Sequence, residues 1–127
     1  MPNRQRVDEL IEQVRSGRFI QAFEEFYHQD VSMKENLNPA TEGKSANLER
    51  EKAWLDSIRE FHENKPTFVA VEGDRVALGW LLEYTTKDGQ RVRTDQVSIQ
   101  EWRGDRIARE RFVYDPTTVV VKEAVSV

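Results

Sequence analysis

The chain has 127 residues, of which 19 are Lys or Arg and 23 are Asp or Glu, giving a formal net charge of −4. This length is typical of one domain with a single core. Lys and Arg form no cluster along the chain, so the sequence lacks the charge pattern of a protein that binds nucleic acid or an anionic membrane. Cysteine is absent, which excludes a disulfide framework and a thiolate metal or redox site.

The N-terminal stretch and the length of the apolar runs indicate where the protein is located. The first ten residues, MPNRQRVDEL, are polar and have no apolar core of the length that a signal peptide needs. No apolar run approaches the length of a membrane span. We therefore expect a soluble, cytoplasmic protein without a membrane partner.

The first half of the chain shows mostly helical spacing. Apolar residues three and four positions apart predict three helices, over residues 4–16, 19–29 and 45–63. Between the second and third helices, alternation of apolar and polar residues predicts a short strand over 31–37. A loop is expected over 38–43, and Lys65-Pro66 is expected to close the third helix.

After Pro66 the pattern changes to that of strands. Four strands are predicted, over residues 67–72, 75–86, 91–102 and 106–114. Each break between them contains a Gly beside an Asp, which is a strong hairpin signal. The order predicts an α+β fold with helices packed on one face of a curved antiparallel sheet. We expect one domain over 1–127, whose tail, 116–127, adds an edge strand, covers a neighbouring subunit or frays.

The stretch VRTDQV, residues 92–97, places an acid inside a predicted strand. If Asp88-Gly89 forms a two-residue turn, Leu82 opposes Asp95, which then shares the helix-covered face with Arg93 and Val97. An unpaired carboxylate in an apolar setting costs about 2 to 5 kcal/mol, so an acid there must be paired, neutralised or hydrated. The pattern therefore predicts a cavity beside Asp95, unless Asp95 and Arg93 form only a surface ion pair at the sheet rim.

The next predicted turn, at Gly104-Asp105, extends the same face. It places Glu110, Phe112 and Tyr114 there, with Tyr114 beside Asp95. A slip of one residue would move Glu110 out of this face, so its placement depends on the register.

The opposite face of the sheet carries Leu81 and Trp102 among small residues. This composition favours sheet-to-sheet association of two copies in a homodimer. The alternative is a solvated face with two isolated apolar side chains.

The helix order, the stretch FYHQDVSMKENLNPATEGKSA and the ending GDRIARERFVYDP together resemble the SnoaL-like branch of the nuclear transport factor 2-like superfamily. The resemblance extends over nearly the whole chain. It implies a cone-shaped, cystatin-like fold in which a strongly curved, mostly antiparallel sheet wraps the long helix around a deep pocket, often in a homodimer. Because this superfamily contains enzymes and non-catalytic binders, function must be argued from the pocket.

The resemblance also implies roles for particular residues. Arg93 and Asp95 resemble the Arg-x-Asp pair with which epoxide hydrolases of this fold hold and activate water. The second Asp of that site would fall at Phe112, and its Tyr and Asn at Met33 and Glu35, so the set is incomplete. Glu35 is similar in position to the general base of the ketosteroid isomerases, whose carbonyl-polarising Tyr has no counterpart here.

The predicted inner face carries a candidate site. The candidate catalytic residues are Asp95, Glu35 and Arg93, and the candidate ligand-binding residues are Tyr27, Met33, Trp54, Trp80, Val97, Glu110, Phe112 and Tyr114. Two carboxylates in an apolar cavity would repel one another and raise one pKa toward neutrality, which would make Glu35 or Asp95 a usable general base.

Three functional interpretations stay open at this point. The incomplete catalytic sets favour a binding protein for a small hydrophobic molecule. The alternative is an isomerase, cyclase or epoxide-hydrolase-like enzyme that uses a pocket carboxylate as general base. A third interpretation is association alone, with the cone filled by Trp54, Trp80 and Phe112. We expect no cofactor, no metal site and no nucleic-acid partner; His28 and His62 have no ligand-forming spacing with Asp or Glu.

Overall fold

The computed structural model describes residues 2–117, which form three helices and a six-stranded sheet. The helices are α1 (Arg4–Arg15), α2 (Phe19–Phe26) and α3 (Lys44–Asp56). The strands are β1 (Tyr27–Glu35), β2 (Thr41–Glu42), β3 (Ile58–Glu72), β4 (Arg75–Thr86), β5 (Arg91–Arg103) and β6 (Arg106–Val113). Most of the predicted tail, 118–127, lies outside the described residues.

The sheet has the strand order β2-β1-β6-β5-β4-β3. Only β1 and β6 pair in parallel; the other neighbours within the described sheet are antiparallel. Register shifts in several pairs mark β-bulges, which bend the strands and curve the sheet. The predicted α+β class, with helices against a curved and mostly antiparallel sheet, is confirmed. Among residues 2–117, the structure contains no helix long and apolar enough to cross a membrane.

The first two helices pack their predicted apolar stripes on the sheet. Asn3 caps α1 by accepting a hydrogen bond from the backbone N–H of Arg6 at 2.8 Å. In α2, Phe23 and Phe26 are buried. This helix ends at Phe26 rather than at residue 29, because Tyr27 takes an extended conformation and begins β1.

The third helix is shorter than predicted, because the residues after it form a strand. It ends at Asp56, and β3 begins at Ile58. Three bulges interrupt β3, so Ile58 and Phe61 recur at helix-like spacing although they lie in a strand. Pro66 lies within β3, which an edge strand tolerates because the missing N–H breaks no inner ladder.

The register of β4 and β5 differs from the prediction by one residue. The loop between Thr86 and Gln90 has three residues rather than two, and its last residue, Gly89, has a positive φ of 88°. Such a three-residue loop with a left-handed third position is a common hairpin connection. Leu82 therefore opposes Thr94, and Asp95 opposes Leu81 on the outer face.

A bulge between Glu101 and Trp102 shifts the register of β5 and β6 in turn. The Gly104-Asp105 turn is as predicted, but beyond the bulge Gln100 opposes Glu110. Glu110 consequently stays on the inner face, where it was predicted, with different neighbours. Trp102, which was expected on the outer face, is buried in the core at 3% exposure.

The outer face of the sheet carries an apolar row that crosses four strands. The row consists of Phe68, Gly79, Val97 and Val113, which are successive partners on β3, β4, β5 and β6. Phe68 is 47% exposed, and its ring covers Gly79 so closely that a Cβ there would clash with it. Phe68 and Val113 are thus the exposed members of this row, while Val97 is half-buried and Gly79 is covered by Phe68.

Candidate functional site

A cavity of about 450 Å³ lies between the three helices and the inner face of the sheet. Apolar side chains dominate its wall: Leu10, Val14, Phe19, Ala22, Phe23, Met33, Trp54, Leu78, Trp80, Leu82, Val92 and Phe112. The volume lies within the range of small-molecule sites, roughly 300 to 1,000 Å³. Trp54, Trp80 and Phe112 therefore line the cone without filling it, contrary to the interpretation in which association was the only function.

The structure brings most of the predicted site residues together. Eight of them line the cavity: Tyr27, Met33, Glu35, Trp54, Trp80, Glu110, Phe112 and Tyr114. The predicted placement of Arg93, Asp95 and Val97 is wrong, because the longer β4–β5 loop turns all three to the outer face. Arg93 and Asp95 are exposed there.

Glu110 of β6 is the centre of a buried hydrogen-bond network. Its Oε1 accepts a hydrogen bond from the Tyr27 hydroxyl at 2.5 Å, and its Oε2 accepts from Ser98 Oγ at 2.5 Å and from Gln100 Nε2 at 2.8 Å. Gln100 Oε1 in turn accepts from Trp102 Nε1 at 3.0 Å. Glu110 is only 3% exposed, so three donors stabilise a carboxyl group that water hardly reaches.

Burial is the main cause of the pKa shifts of Glu110 and Tyr27 in this network. Burial raises the pKa of Glu110, and the hydrogen bonds from Ser98, Tyr27 and Gln100 oppose that rise because they favour the charged form. Burial and the neighbouring Glu110 charge raise the pKa of the Tyr27 phenol well above its usual value. Tyr27 therefore stays protonated and keeps donating to Glu110.

Glu51 of α3 is a second acid in the cavity, and sequence reasoning missed it. Its side chain lines the cavity and is partly buried. Burial raises its pKa to about 7, the charge of Glu110 adds to the rise, and Arg50 opposes it. Near neutral pH, this carboxyl group can both accept and donate a proton.

The spacing of side chains along α3 indicates that Glu51 faces the interior. Asn47 precedes it by four residues and Trp54 follows it by three, so the three side chains share one helix face. Asn47 is buried, and its Nδ2 donates to the backbone oxygens of Gly43 and Thr41 at 2.8 and 2.9 Å. These bonds fix the start of α3 against β2, and the Glu51 side chain on the same helix face lines the cavity.

The inner residues of β5 were missed for a different reason. Thr94, Gln96, Ser98 and Gln100 all line the cavity, but a two-residue turn would place them on the outer face. Recognising Gly89 as the third loop residue would have found them. The hydroxyl of Thr94 is buried without a hydrogen-bond partner in the described part of the chain.

Aromatic rings close the end of the cavity away from Glu110. Trp54 Nε1 donates to the Tyr84 hydroxyl at 3.2 Å, and the two rings meet edge to face with centroids 5.7 Å apart. Phe19 contacts Trp54 edge to face at 5.5 Å and stacks on Phe61 at the same distance. The result is a cluster of aromatic side chains in mutual contact.

Glu35 ends β1 at the cavity wall, where it was predicted. The Glu35 carboxyl acts on the Tyr114 phenol, whose pKa is raised by burial and by the Glu35 charge. Within residues 2–117, His, Asp and Glu do not gather in groups of three that could hold a metal ion.

Solved structures share this fold. A protein from Mesorhizobium loti, provisionally named a SnoaL-like polyketide cyclase, is 26% identical and has a TM-score of 0.76, with 88% of this chain and 98% of that chain covered. TerC, co-crystallised with polyporic acid, is 19% identical and has a TM-score of 0.74. The match covers 92% of this chain and 94% of TerC. A Bacillus subtilis protein provisionally named an isomerase is 20% identical and has a TM-score of 0.69. The match covers 89% of this chain and 86% of that protein.

Sequence comparison gives the family. No curated protein matches the chain at a significant level. The family model of the SnoaL-like domain, in contrast, matches residues 7–110. That match confirms the resemblance found in the sequence, and since it spans most of the chain, the chain belongs to the SnoaL-like domain family.

Proposed function

We propose that the chain binds a small, mainly apolar molecule in the cavity between α3 and the sheet. The observation that carries this proposal is the open volume of about 450 Å³ behind aromatic walls. The buried, unpartnered hydroxyl of Thr94 supports it, because a ligand oxygen or nitrogen could satisfy that group. The co-crystal of the similar protein TerC with polyporic acid supports a small-molecule role.

Blocking the cavity is expected to weaken this binding. Ala53 is exposed at the surface of α3 and lines the cavity, so Ala53→Trp would place an indole in the entrance with little strain on the helix. We expect the affinity for N-phenyl-1-naphthylamine, a neutral fluorescent probe of apolar cavities, to fall at least about tenfold, which corresponds to about 1.4 kcal/mol.

Ala46→Trp is the matched control for this experiment. Ala46 is also exposed on α3 but does not line the cavity, so this variant should bind the probe as the wild type does. Equal affinities of both variants and the wild type would show that the probe binds elsewhere and would contradict the proposal.

A second candidate function is proton transfer on the bound molecule, as in an isomerase or cyclase. The observation that favours it is Glu51, which lines the cavity with a pKa of about 7. A general base works best when its pKa is near the working pH. The epoxide-hydrolase variant of this idea loses its support, because Arg93 and Asp95 lie outside the cavity.

Deuterium exchange beside a ketone carbonyl tests whether Glu51 acts as a general base, and it does not require the natural substrate. The protein is incubated with 1-tetralone in deuterated buffer, and exchange beside the carbonyl is followed by NMR. We expect the wild type and Glu49→Gln, an exposed change on the same helix, to accelerate exchange over buffer. Glu51→Gln should return the rate to background; a rate equal to that of the wild type would exclude Glu51 as the base.

We further propose that two copies associate through the apolar row of the outer face. Phe68 and Val113 of the row are exposed in one copy, and Arg93 and Asp95 on the same face supply both signs of charge. Two copies related by a twofold axis could therefore bury the row and pair opposite charges.

Light scattering at micromolar concentration should give twice the mass of one chain. Val97→Lys places a charge in the row and should reduce the mass to that of one chain. The same change at Val71, which is exposed but lies off the row, should leave the dimer intact. A wild-type monomer at this concentration would contradict the proposal.

A further inference from the structure

The titratable groups that line the cavity are unbalanced in charge. In the described part of the chain they are the acids Glu35, Glu51 and Glu110, the single base Arg50, and the phenols Tyr27, Tyr84 and Tyr114. Arg50 is exposed and its Nη1 donates to Thr41 Oγ1 at 3.3 Å, so water screens much of its charge, which only partly offsets the acids. The interior therefore disfavours an anionic ligand.

The three acids are not equally available to a ligand. Both oxygens of Glu110 already accept hydrogen bonds from buried donors, and Glu35 is engaged by Tyr114. No hydrogen bond or ion pair to the Glu51 carboxyl is found within residues 2–117. Glu51 is consequently the acid whose acceptor positions are open toward the cavity.

We propose that the cavity selects apolar molecules that carry a protonated amine, and that Glu51 receives the ammonium group. This inference rests on the proposed binding function and not on the catalytic alternative. Glu110, fixed by its donors, lies close enough to act on Glu51 electrostatically, so its charge adds to the attraction for a cation. A charge-assisted hydrogen bond in a site shielded from water is stronger than a neutral one.

The opposite end of the cavity fits the rest of such a molecule. Thr94 is 8% exposed and its hydroxyl lacks a partner in the part of the chain described. It precedes Ser98, which is bonded to Glu110, by four residues on β5, or about 13 Å along the strand. An elongated molecule would thus place its amine at Glu51, its apolar body over Trp80, and a polar atom near Thr94.

Proton linkage gives this inference a signature. The ammonium needs the ionised form of Glu51, whose pKa is about 7, whereas an aliphatic amine stays protonated to about pH 10. The ionised fraction of Glu51 rises about tenfold between about pH 6 and about pH 8, so the affinity for an amine should rise by about the same factor. A neutral alcohol of the same shape should show little change.

The experiment compares 2-naphthylmethylamine, 2-naphthylmethanol and 2-naphthylacetate by displacement of N-phenyl-1-naphthylamine. Affinities are measured at about pH 6 and about pH 8 for the wild type, Glu51→Gln and Glu49→Gln. In the wild type and Glu49→Gln, the amine should bind most tightly at the higher pH and the carboxylate least. In Glu51→Gln, the pH dependence and the preference for the amine should both disappear, while the alcohol keeps its affinity.

The outcomes separate this inference from the function on which it rests. Binding of the naphthalene probes without a preference for the amine, or a pH rise that persists in Glu51→Gln, overturns the inference and leaves the binding function standing. Failure of every probe, including N-phenyl-1-naphthylamine, to bind the wild type contradicts both. Circular dichroism of each variant verifies that the fold is retained.

Discussion

Replacing Gln100 by Leu is expected to lower the free energy of unfolding by about 3 to 5 kcal/mol. Gln100 is 1% exposed, and its side chain both donates to Glu110 and accepts from the indole of Trp102. Leu can do neither, so a buried carboxyl group loses one of its three donors and a buried indole N–H loses its acceptor. Urea unfolding at neutral pH measures the change.

The control for this prediction is Gln96→Leu on the same strand. Gln96 shares the inner face and lines the cavity, but it has no hydrogen-bond partner in the part of the chain that is described. Its replacement should change the free energy of unfolding by less than about 1 kcal/mol. Equal losses in the two variants would mean that the network around Glu110 contributes nothing specific.

Replacing Glu51 by Gln is expected to stabilise the protein at alkaline pH and not at acidic pH. The carboxyl pKa is raised from 4.5 to about 7 in the folded state, so the folded chain binds this proton more tightly than the unfolded chain does. The associated stability is fully present below about pH 4.5 and is lost as the pH rises through about 7. Allowing for partial exposure, the loss amounts to about 2 to 3 kcal/mol.

Gln does not titrate, so the variant escapes this loss. The difference in unfolding free energy between Glu51→Gln and the wild type should therefore grow between about pH 5 and about pH 8. Glu49→Gln, exposed on the same helix, should show no such growth. Parallel stability curves for Glu51→Gln and the wild type would contradict the assignment of a buried, titrating acid at this position.

Strong alternation and Gly-Asp breaks predicted the antiparallel strands well. The bounds of β4, 75 to 86, agree with the prediction at both ends. The prediction was wrong about the length of one loop, the one between β4 and β5. One extra residue before Gly89 moves Asp95 to the outer face and brings Thr94 to the inner face. Alternation cannot decide this, because residues 92–102 place polar side chains on both faces of the strand.

The bulges explain the remaining differences between prediction and structure. In β3 they give Ile58 and Phe61 a helical spacing, so a strand was predicted as helix. In β5 and β6 a bulge compensates for the wrong loop, so that Glu110 was placed correctly from an incorrect register. Bulges depend on long-range sheet curvature rather than on local residue preference, and the sequence contains no short-range signal for them.

The parallel pairing of β1 with β6 also determines when during synthesis the cavity can exist. Tyr27 and Glu110, whose hydrogen bond joins the two strands, are 83 positions apart in the chain. Until β6 has left the ribosome, β1 and β5 both present open edges, and the carboxylate that organises the interior is missing. Contacts of such long sequence separation slow folding, and open edges in the nascent chain attract other strands. β6, the last strand among residues 2–117, therefore both completes the interior and ends the period in which these open edges are exposed.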